Sequence, residues 1–344
     1  MLTGTNKNYY HQIGLLVLIY FVVFIKLDSF HMRWWDESMF AVNTYEMMEN
    51  GKYFSLYFDG TPDLFNTKPP LTNWVQLIFV KCLGYNELAL RLPSAIAAAL
   101  SVLLLFNFIS KNFNLLWAWL SALVLLTSSG FITFHTARTA DSDSLLTFFL
   151  LAANIYFLKY ILQNNKRHIF LFLIFITIAF ATKMYAALLF APVYLIVLVQ
   201  QKKLKEFILN KFFILGISLF LLLNIGLIYL RELDTPGYIQ QILFKDAGRI
   251  FNVVEDHEES AGFYFYNLFT TRFSIWFVLL IGGSLFALYS ETKTEKRLLS
   301  ILVLFSFIYL LIISISITKL TWYDMPLYPY LAVIAAYPVY VLME

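Results

Sequence analysis

The sequence predicts an all-α membrane protein that crosses the bilayer about ten times, with further helices at the membrane surface in its first long loop. Of its 344 residues, 60% are hydrophobic and only 14% are charged. A soluble domain of this size exposes more polar surface, so lipid must surround most of the chain. The apolar residues form continuous runs instead of alternating with polar ones, which excludes a membrane β-barrel.

Runs long enough to span the bilayer recur along the chain, since a transmembrane helix needs roughly 20 apolar residues. They start near Gly14, Pro93, Leu115, Leu145, Ile169, Ala186, Phe212, Phe273, Leu298 and Met325. The stretch from Pro69 to Leu83 is also apolar, but it is short and contains Asn73, Gln76 and Lys81. We interpret it as a helix that lies at the outer membrane surface.

The loops fall into two sets of different charge, and this difference predicts their side of the membrane. The short, basic set carries Lys7, Lys111, Lys166, Arg167, Lys202, Lys203, Lys205, Lys211, Lys293, Lys296 and Arg297. The other set is mixed or acidic and includes two long loops, residues 28–91 and 232–272. The positive-inside rule places the basic set and both termini in the cytoplasm. We therefore expect a single membrane domain over residues 1–344, with both long loops outside and no soluble C-terminal domain.

Composition also limits the partners and the location. The net charge of +3 is divided between the two sides of the membrane, which argues against nucleic acid as a partner. The single cysteine, Cys82, excludes an intramolecular disulfide and a cysteine metal cluster. The abundance of Lys, Asn, Ile and Phe is typical of AT-rich bacterial genomes, so we expect a bacterial plasma membrane.

Adjacent carboxylates in the first long loop are the first candidates for chemistry. Asp36 and Glu37 follow Trp34 and Trp35 at the end of a membrane helix. Partial desolvation there would raise the pKa of at least one of them, and a carboxylate so placed can act as a general base. A helix cap beside tryptophans that anchor the chain in lipid explains the same four residues.

Two further clusters have equally open interpretations. Lys68 precedes a helix that starts at Pro69-Pro70, where the positive end of the helix would favour a phosphate, although a snorkelling lysine fits as well. Asp141 and Asp143 occupy a tight turn between apolar helices. They can hold a divalent cation or sugar hydroxyls, or simply stabilise the start of the next helix.

The remaining candidates are spread over later loops. Lys183 ends an apolar helix, and the second long loop supplies Arg249 and His257, the latter inside an acidic run. That run is either a solvated face or part of a site, and His257 is either a metal ligand or a surface residue. Lys319 and Tyr323 precede the last apolar segment.

Taken in this order, the motifs resemble the C-type membrane glycosyltransferases, and most of all the branch of protein O-mannosyltransferases and lipid A aminoarabinose transferases. The similarity runs from Trp35 to about Pro329. It comprises Asp36-Glu37, Thr67-Lys68-Pro69-Pro70, Asn86-Glu87, Arg91-Leu92-Pro93-Ser94, Arg138, Asp141-Ser142-Asp143-Ser144-Leu145-Leu146, Thr182-Lys183, Arg249, His257, Phe263-Tyr264-Phe265-Tyr266, Lys319, Tyr323 and Tyr328-Pro329.

The resemblance implies an enzyme that moves a sugar from a polyprenyl-phosphate donor to a hydroxyl of a lipid, glycan or protein, with inversion, at the outer face. It implies that Asp36 is the catalytic carboxylate, with Glu37 beside it, and that Lys68 and Arg249 hold the donor phosphate. Other residues that match positions around the same cavity are Arg138, Asp141, Asp143, Lys183, His257, Lys319 and Tyr323. In some members the histidine is associated with a metal, so a divalent cation is a candidate cofactor.

Two other functions fit parts of the pattern. A lipid or sugar flippase would place ionisable residues within its spans and show repeats, whereas the strongest charges here lie where loops meet helices. The other alternative is a non-catalytic accessory subunit with the same fold. Family members usually continue with further helices and a soluble outer domain, so the acceptor is not carried over.

Overall fold

Helices make up most of the chain in the computed structural model, which describes residues 4–133, 135–254, 256–289 and 292–344. The α-helices are α1 Gly4–Ile19, α2 Asp36–Asn50, α3 Leu71–Leu83, α4 Glu87–Asn112, α5 Leu115–Thr127, α6 Ser129–Ile132, α7 Asp143–Gln163, α8 Arg167–Lys183, α9 Ala191–Gln200, α10 Leu204–Ile208, α11 Lys211–Asp234, α12 Tyr238–Gln241, α13 Phe263–Asn267, α14 Phe277–Tyr289, α15 Lys293–Ile315 and α16 Tyr328–Met343. Short π-helical turns cover Tyr20–Phe24, Ile242–Ala247 and Leu268–Arg272. Turns of 3₁₀ helix cover Met184–Leu188, Gly248–Ile250, Ser274–Trp276 and Thr321–Leu327.

Six helices in the described residues are long and apolar enough to cross a membrane. They are Glu87–Asn112, Asp143–Gln163, Arg167–Leu188, Lys211–Asp234, Lys293–Ile315 and Thr321–Met343. A seventh span is formed if Phe263–Arg272 and Ser274–Tyr289, which meet at 94°, count as one broken helix. The other predicted segments are shorter apolar helices, namely Tyr10–Phe24, Leu115–Thr127 and Ala191–Gln200. The chain is thus a polytopic helical membrane protein, and the count of ten spans stays a prediction.

The core lies where α4, α5, α7 and α16 pack together. Trp117 of α5 is fully buried, and its indole N–H donates to the carbonyl of Val333 in α16 at 3.0 Å. Helix α14 approaches α16 so closely that a Cβ at Gly283 would lie 1.9 Å from the carbonyl oxygen of Ile334. Glycine at such a contact lets two membrane helices pack with their backbones almost touching.

The first long loop folds into α2, α3 and a small hairpin between them. The hairpin consists of β1 (Tyr57–Phe58) and β2 (Thr61–Pro62), which are antiparallel. The all-α prediction is therefore accurate apart from this hairpin and an isolated bridge between Glu258 and Thr318.

Helix α3 packs against α2 through polar side chains, with the Gln76 amide oxygen accepting a 2.8 Å bond from the hydroxyl of Thr44. Buried partners explain why an apolar helix carries polar residues on one face.

Candidate functional site

A cavity of about 400 Å³ lies where the two long loops meet the ends of the membrane helices. Its wall comes from the start of α2, the loop before α3, the ends of α7 and α8, the turn at Arg249 and the end of α15. The predicted site residues that line it are Asp36, Lys68, Asp143, Lys183, Arg249, His257 and Tyr323. They are far apart in sequence, and the fold brings them together within a volume typical of small-molecule sites.

Asp36 is the first residue of α2 and faces the cavity. One carboxylate oxygen lies 3.8 Å from Lys68 Nζ, and the other lies 3.9 Å from His135 Nδ1. Burial alone would raise its pKa, but the charges of four neighbours outweigh burial and lower the pKa below the ordinary value. These neighbours are Lys68, Lys183, His135 and Arg249. The carboxylate is thus ionised near neutral pH.

The residue before Asp36 has an unusual backbone conformation. Trp35 has a φ of 70°, a backbone angle that residues other than glycine rarely adopt. The indole is 72% exposed and forms part of the cavity wall. Strain of this kind is frequent at functional sites, and here it sets the direction in which α2 begins.

A second carboxylate in the cavity is ion-paired. Asp143, at the start of α7, receives hydrogen bonds of 2.6 and 2.8 Å from Lys183 Nζ at the end of α8. The same ammonium lies 5.1 Å from the centre of the Tyr323 ring. This pair fixes the ends of two membrane helices beside Asp36 and presents both charges to the cavity.

Arg249 reaches the cavity from the second long loop. Its guanidinium bonds to the hydroxyl of Tyr323, and its backbone carbonyl accepts bonds from Thr318 N at 3.2 Å and Ser316 Oγ at 2.8 Å. His257 also lines the cavity, and its carbonyl accepts a 2.9 Å bond from the amide of Lys319. The segment after α15 thus holds the second long loop against the cavity.

Glu37 lies outside the cavity wall, although it neighbours Asp36. Its carboxylate forms a fully buried ion pair with Arg91 of α4, with 2.7 Å between Oε1 and Nε. It also accepts bonds from the amides of Ala140 at 2.9 Å and Arg33 at 2.8 Å. Glu37 therefore joins α2, α4 and the turn that carries Asp141.

Arg138 and Lys319, two of the predicted donor-binding residues, do not line the cavity, and their side chains donate hydrogen bonds to main-chain carbonyls. Arg138 donates to the carbonyls of Val22 at 2.9 Å and Ile25 at 2.7 Å, at the end of the first apolar helix. Lys319 Nζ donates to the carbonyls of Glu259 at 2.7 Å and Ser316 at 2.6 Å. Both cations fix loop segments around the site.

Asp141 is buried next to the cavity and faces His135. The distance from Asp141 Oδ1 to His135 Nδ1 is 3.3 Å, and neither carboxylate oxygen of Asp141 has a hydrogen-bond donor among the described residues. One ligand atom from each of Asp36, His135 and Asp141 lies within 4.8 Å of the others. Carboxylates with one imidazole suit several divalent cations, so these residues fit a metal ion.

His135 and Trp322 are cavity residues that the sequence interpretation did not single out. Their rings stack at 3.7 Å with an angle of 19°, and His135 has a φ of 54°. The available signal was a histidine in a polar turn between two apolar runs, close to Asp141. Trp322 lies inside the motif from Lys319 to Tyr323, but its contact with a turn far away in sequence could not be inferred.

Comparisons of the sequence with known proteins find similar proteins over much of the chain. Residues 67–229 match the family model described as dolichyl-phosphate-mannose-protein mannosyltransferase. An uncharacterized protein of Aquifex aeolicus (strain VF5) is 28% identical over 330 residues, which cover 94% of this chain and 63% of that protein.

Solved structures share the fold. ArnT from Cupriavidus metallidurans, in a crystal structure with undecaprenyl phosphate bound, matches with a TM-score of 0.82 and 16% identity over 97% of this chain and 60% of ArnT. The oligosaccharyltransferase of Archaeoglobus fulgidus matches with a TM-score of 0.59 and 14% identity over 98% of this chain and 51% of that enzyme. The chain thus spans less than two thirds of the length of these relatives.

Proposed function

Because the chain shares its fold with ArnT and an oligosaccharyltransferase and matches a mannosyltransferase family model, we propose that it is a C-type membrane glycosyltransferase, which transfers a sugar from a polyprenyl-phosphate donor to an acceptor hydroxyl, with inversion. The transfer takes place in the cavity around Asp36, at the outer face of a bacterial plasma membrane. The observation that carries this proposal is the Asp36 carboxylate, which lies 3.8 Å from Lys68 Nζ in a cavity that Arg249 also lines.

Asp36 acts as the general base in this mechanism. It accepts the proton of the acceptor hydroxyl while the hydroxyl oxygen forms a bond to the anomeric carbon of the sugar. On the opposite face of the sugar, the bond from the anomeric carbon to the phosphate oxygen breaks, which inverts the configuration. The lowered pKa of Asp36 keeps the group in the form that accepts a proton at neutral pH.

Lys68 and Arg249 stabilise the departing phosphate. Negative charge grows on the phosphate oxygen as the bond to the sugar breaks, and cations placed beforehand lower the energy of that state. Lys68 belongs to the first long loop and Arg249 to the second, so both loops must be docked for the phosphate site to form. Lipid phosphate leaves readily when its charge is stabilised, so the mechanism needs no carboxylic acid to protonate it.

Part of the cavity wall is apolar and suits the prenyl chain of the donor. It contains Leu146 of α7, Ile312 and Ile313 of α15, and Met184 and Leu189 from the segment that follows α8. A lipid chain that lies between these side chains would direct its phosphate towards Lys68 and Arg249. Asp143 and Lys183, on the same wall, are available to bind sugar hydroxyls.

The other predicted residues support this site indirectly. Glu37, with Arg91, fixes the start of α2 and therefore the position of Asp36. Arg138 and Lys319 hold loop backbone in place. Asp36, His135 and Asp141 would hold a divalent cation, which would supply positive charge at the site.

The experiment is a transfer assay with purified protein, a polyprenyl-phosphate-linked sugar and a mixture of candidate acceptors. We expect Asp36→Asn to abolish sugar transfer without loss of folded protein. Asp28→Asn, which changes an exposed carboxylate of the same loop outside the cavity, should retain it. Full transfer by Asp36→Asn contradicts the role of the base, and lipid translocation across vesicles without donor turnover would indicate a flippase instead.

A further inference from the structure

A buried arginine lies near the end of a helix that is otherwise mostly exposed. Only 11% of the apolar stretch of α11 is buried inside the protein, yet Arg231 near its end is 1% exposed. Its neighbours Leu230 and Leu233 are exposed. Burying a guanidinium at the end of a membrane helix is unfavourable unless it has partners, so its contacts indicate its role.

Arg231 donates its hydrogen bonds to the backbone of the loop that carries Lys68. The guanidinium reaches the carbonyls of Lys68 at 2.6 Å, Asn66 at 2.6 Å and Asp63 at 2.9 Å. It lies 4.0 Å above the ring of Tyr238, whose hydroxyl donates to the carbonyl of Thr67 at 2.8 Å. The loop from Asp63 to Lys68 is thus held along its length from the side of α11.

The same loop is bound to α2 on its other side. The Asn43 amide donates to Asp63 Oδ2 at 2.9 Å, and the Asn66 amide donates to Asn43 Oδ1 at 2.8 Å. Asn43 lies in the helix that begins with Asp36. The distance of 3.8 Å between Lys68 Nζ and the Asp36 carboxylate is therefore set by two anchors, one on α2 and one on α11.

We propose that Arg231 is a positioning residue for the phosphate site, which acts by fixing the backbone of Lys68. This inference rests on the proposed function, because it takes Lys68 as a ligand of the donor phosphate. The planar guanidinium donates to these three carbonyls from two nitrogens, Nη1 and Nη2, whereas the three donors of a lysine ammonium all lie on one nitrogen. A loop freed from Arg231 would let Lys68 move away from the phosphate.

The test measures the binding of undecaprenyl phosphate to purified full-length protein in lipid nanodiscs. Arg231→Gln should weaken binding about tenfold, and Arg231→Lys should weaken it less. In a Lys68→Gln background, Arg231→Gln should have less than about a twofold further effect, since coupled residues do not act additively. Asp234→Asn is the matched control, because it removes the ion pair of α11 with Lys52 but changes no contact of the loop from Asp63 to Lys68.

Hydrogen exchange provides a readout that needs no ligand. In Arg231→Gln, amides of the segment from Asp63 to Lys68 should exchange faster, while those of α4 remain unchanged. The inference is overturned if exchange in this segment is unchanged, or if Arg231→Gln weakens binding equally in the wild-type and Lys68→Gln backgrounds. Either result leaves the proposed function standing. Wild-type protein that binds no undecaprenyl phosphate contradicts the proposed function itself.

Discussion

Replacing Glu37 by alanine should destabilise the protein strongly, because Arg91 would remain buried without its carboxylate partner. Glu37 is 0% and Arg91 2% exposed, and Arg91 also donates to the carbonyls of Leu27, Phe30 and His31. These bonds prevent the guanidinium from turning out to solvent. Removing one member of such a pair costs about 3–5 kcal/mol.

Asp36→Ala, at the adjacent residue, should destabilise the protein much less than Glu37→Ala does. The Asp36 carboxylate keeps distances of 3.8 and 3.9 Å from its ion-pair partners and is partly exposed, so its removal should cost less than about 1 kcal/mol. The two variants therefore separate a structural carboxylate from the one proposed to act in catalysis.

The assay is thermal unfolding in detergent, followed by tryptophan fluorescence. At about 2–4 °C per kcal/mol, Glu37→Ala should lower the midpoint by about 6–20 °C and Asp36→Ala by less than about 4 °C. A midpoint for Glu37→Ala within about 4 °C of the wild type would refute the reasoning. It would mean that Arg91 finds another partner or solvent once the carboxylate is gone.

Two further predictions concern pH and packing. The lowered pKa of Asp36 should extend sugar transfer below the pH at which an ordinary aspartate becomes protonated. Lys68→Gln should move the acidic limb of the rate profile to higher pH, because Lys68 makes the largest of the charge contributions that lower this pKa. An acidic limb that stays in place in Lys68→Gln contradicts the assignment of Asp36 as the base. Gly130→Ala should destabilise the protein by about 1–3 kcal/mol, because the added Cβ would lie 2.0 Å from the Tyr328 hydroxyl, beside the buried Arg272–Asp324 ion pair. Thermal unfolding measures this cost, and Gly226→Ala is the control, because a Cβ at Gly226 would have no atom outside its own helix within 4 Å.

The sequence was sufficient to predict a helical membrane protein, since long apolar runs have few other stable forms in lipid. Six of those runs are helices of spanning length. The number of spans is harder to predict, because short apolar helices such as Leu115–Thr127 have the composition of a span without its length. Their position relative to lipid depends on their neighbours.

The candidate site illustrates what local sequence cannot determine. Asp36 and Glu37 are adjacent, but successive helical residues point in directions about 100° apart, so only one can face the cavity. Which one does so depends on the rotation of α2, and Arg91 on a different helix sets that rotation. In the same way, nothing near Lys319 in sequence indicates that its ammonium meets the carbonyl of Glu259.

The position of undecaprenyl phosphate in the full-length protein tests the central claim most directly. A cryo-electron microscopy structure in nanodiscs should place the phosphate between Lys68 and Arg249, close to Asp36, with the prenyl chain along Met184 and Ile312. Asp36→Asn should bind the lipid in the same place. Density for the lipid head group outside this cavity, with Lys68 and Arg249 not in contact with it, would contradict the account.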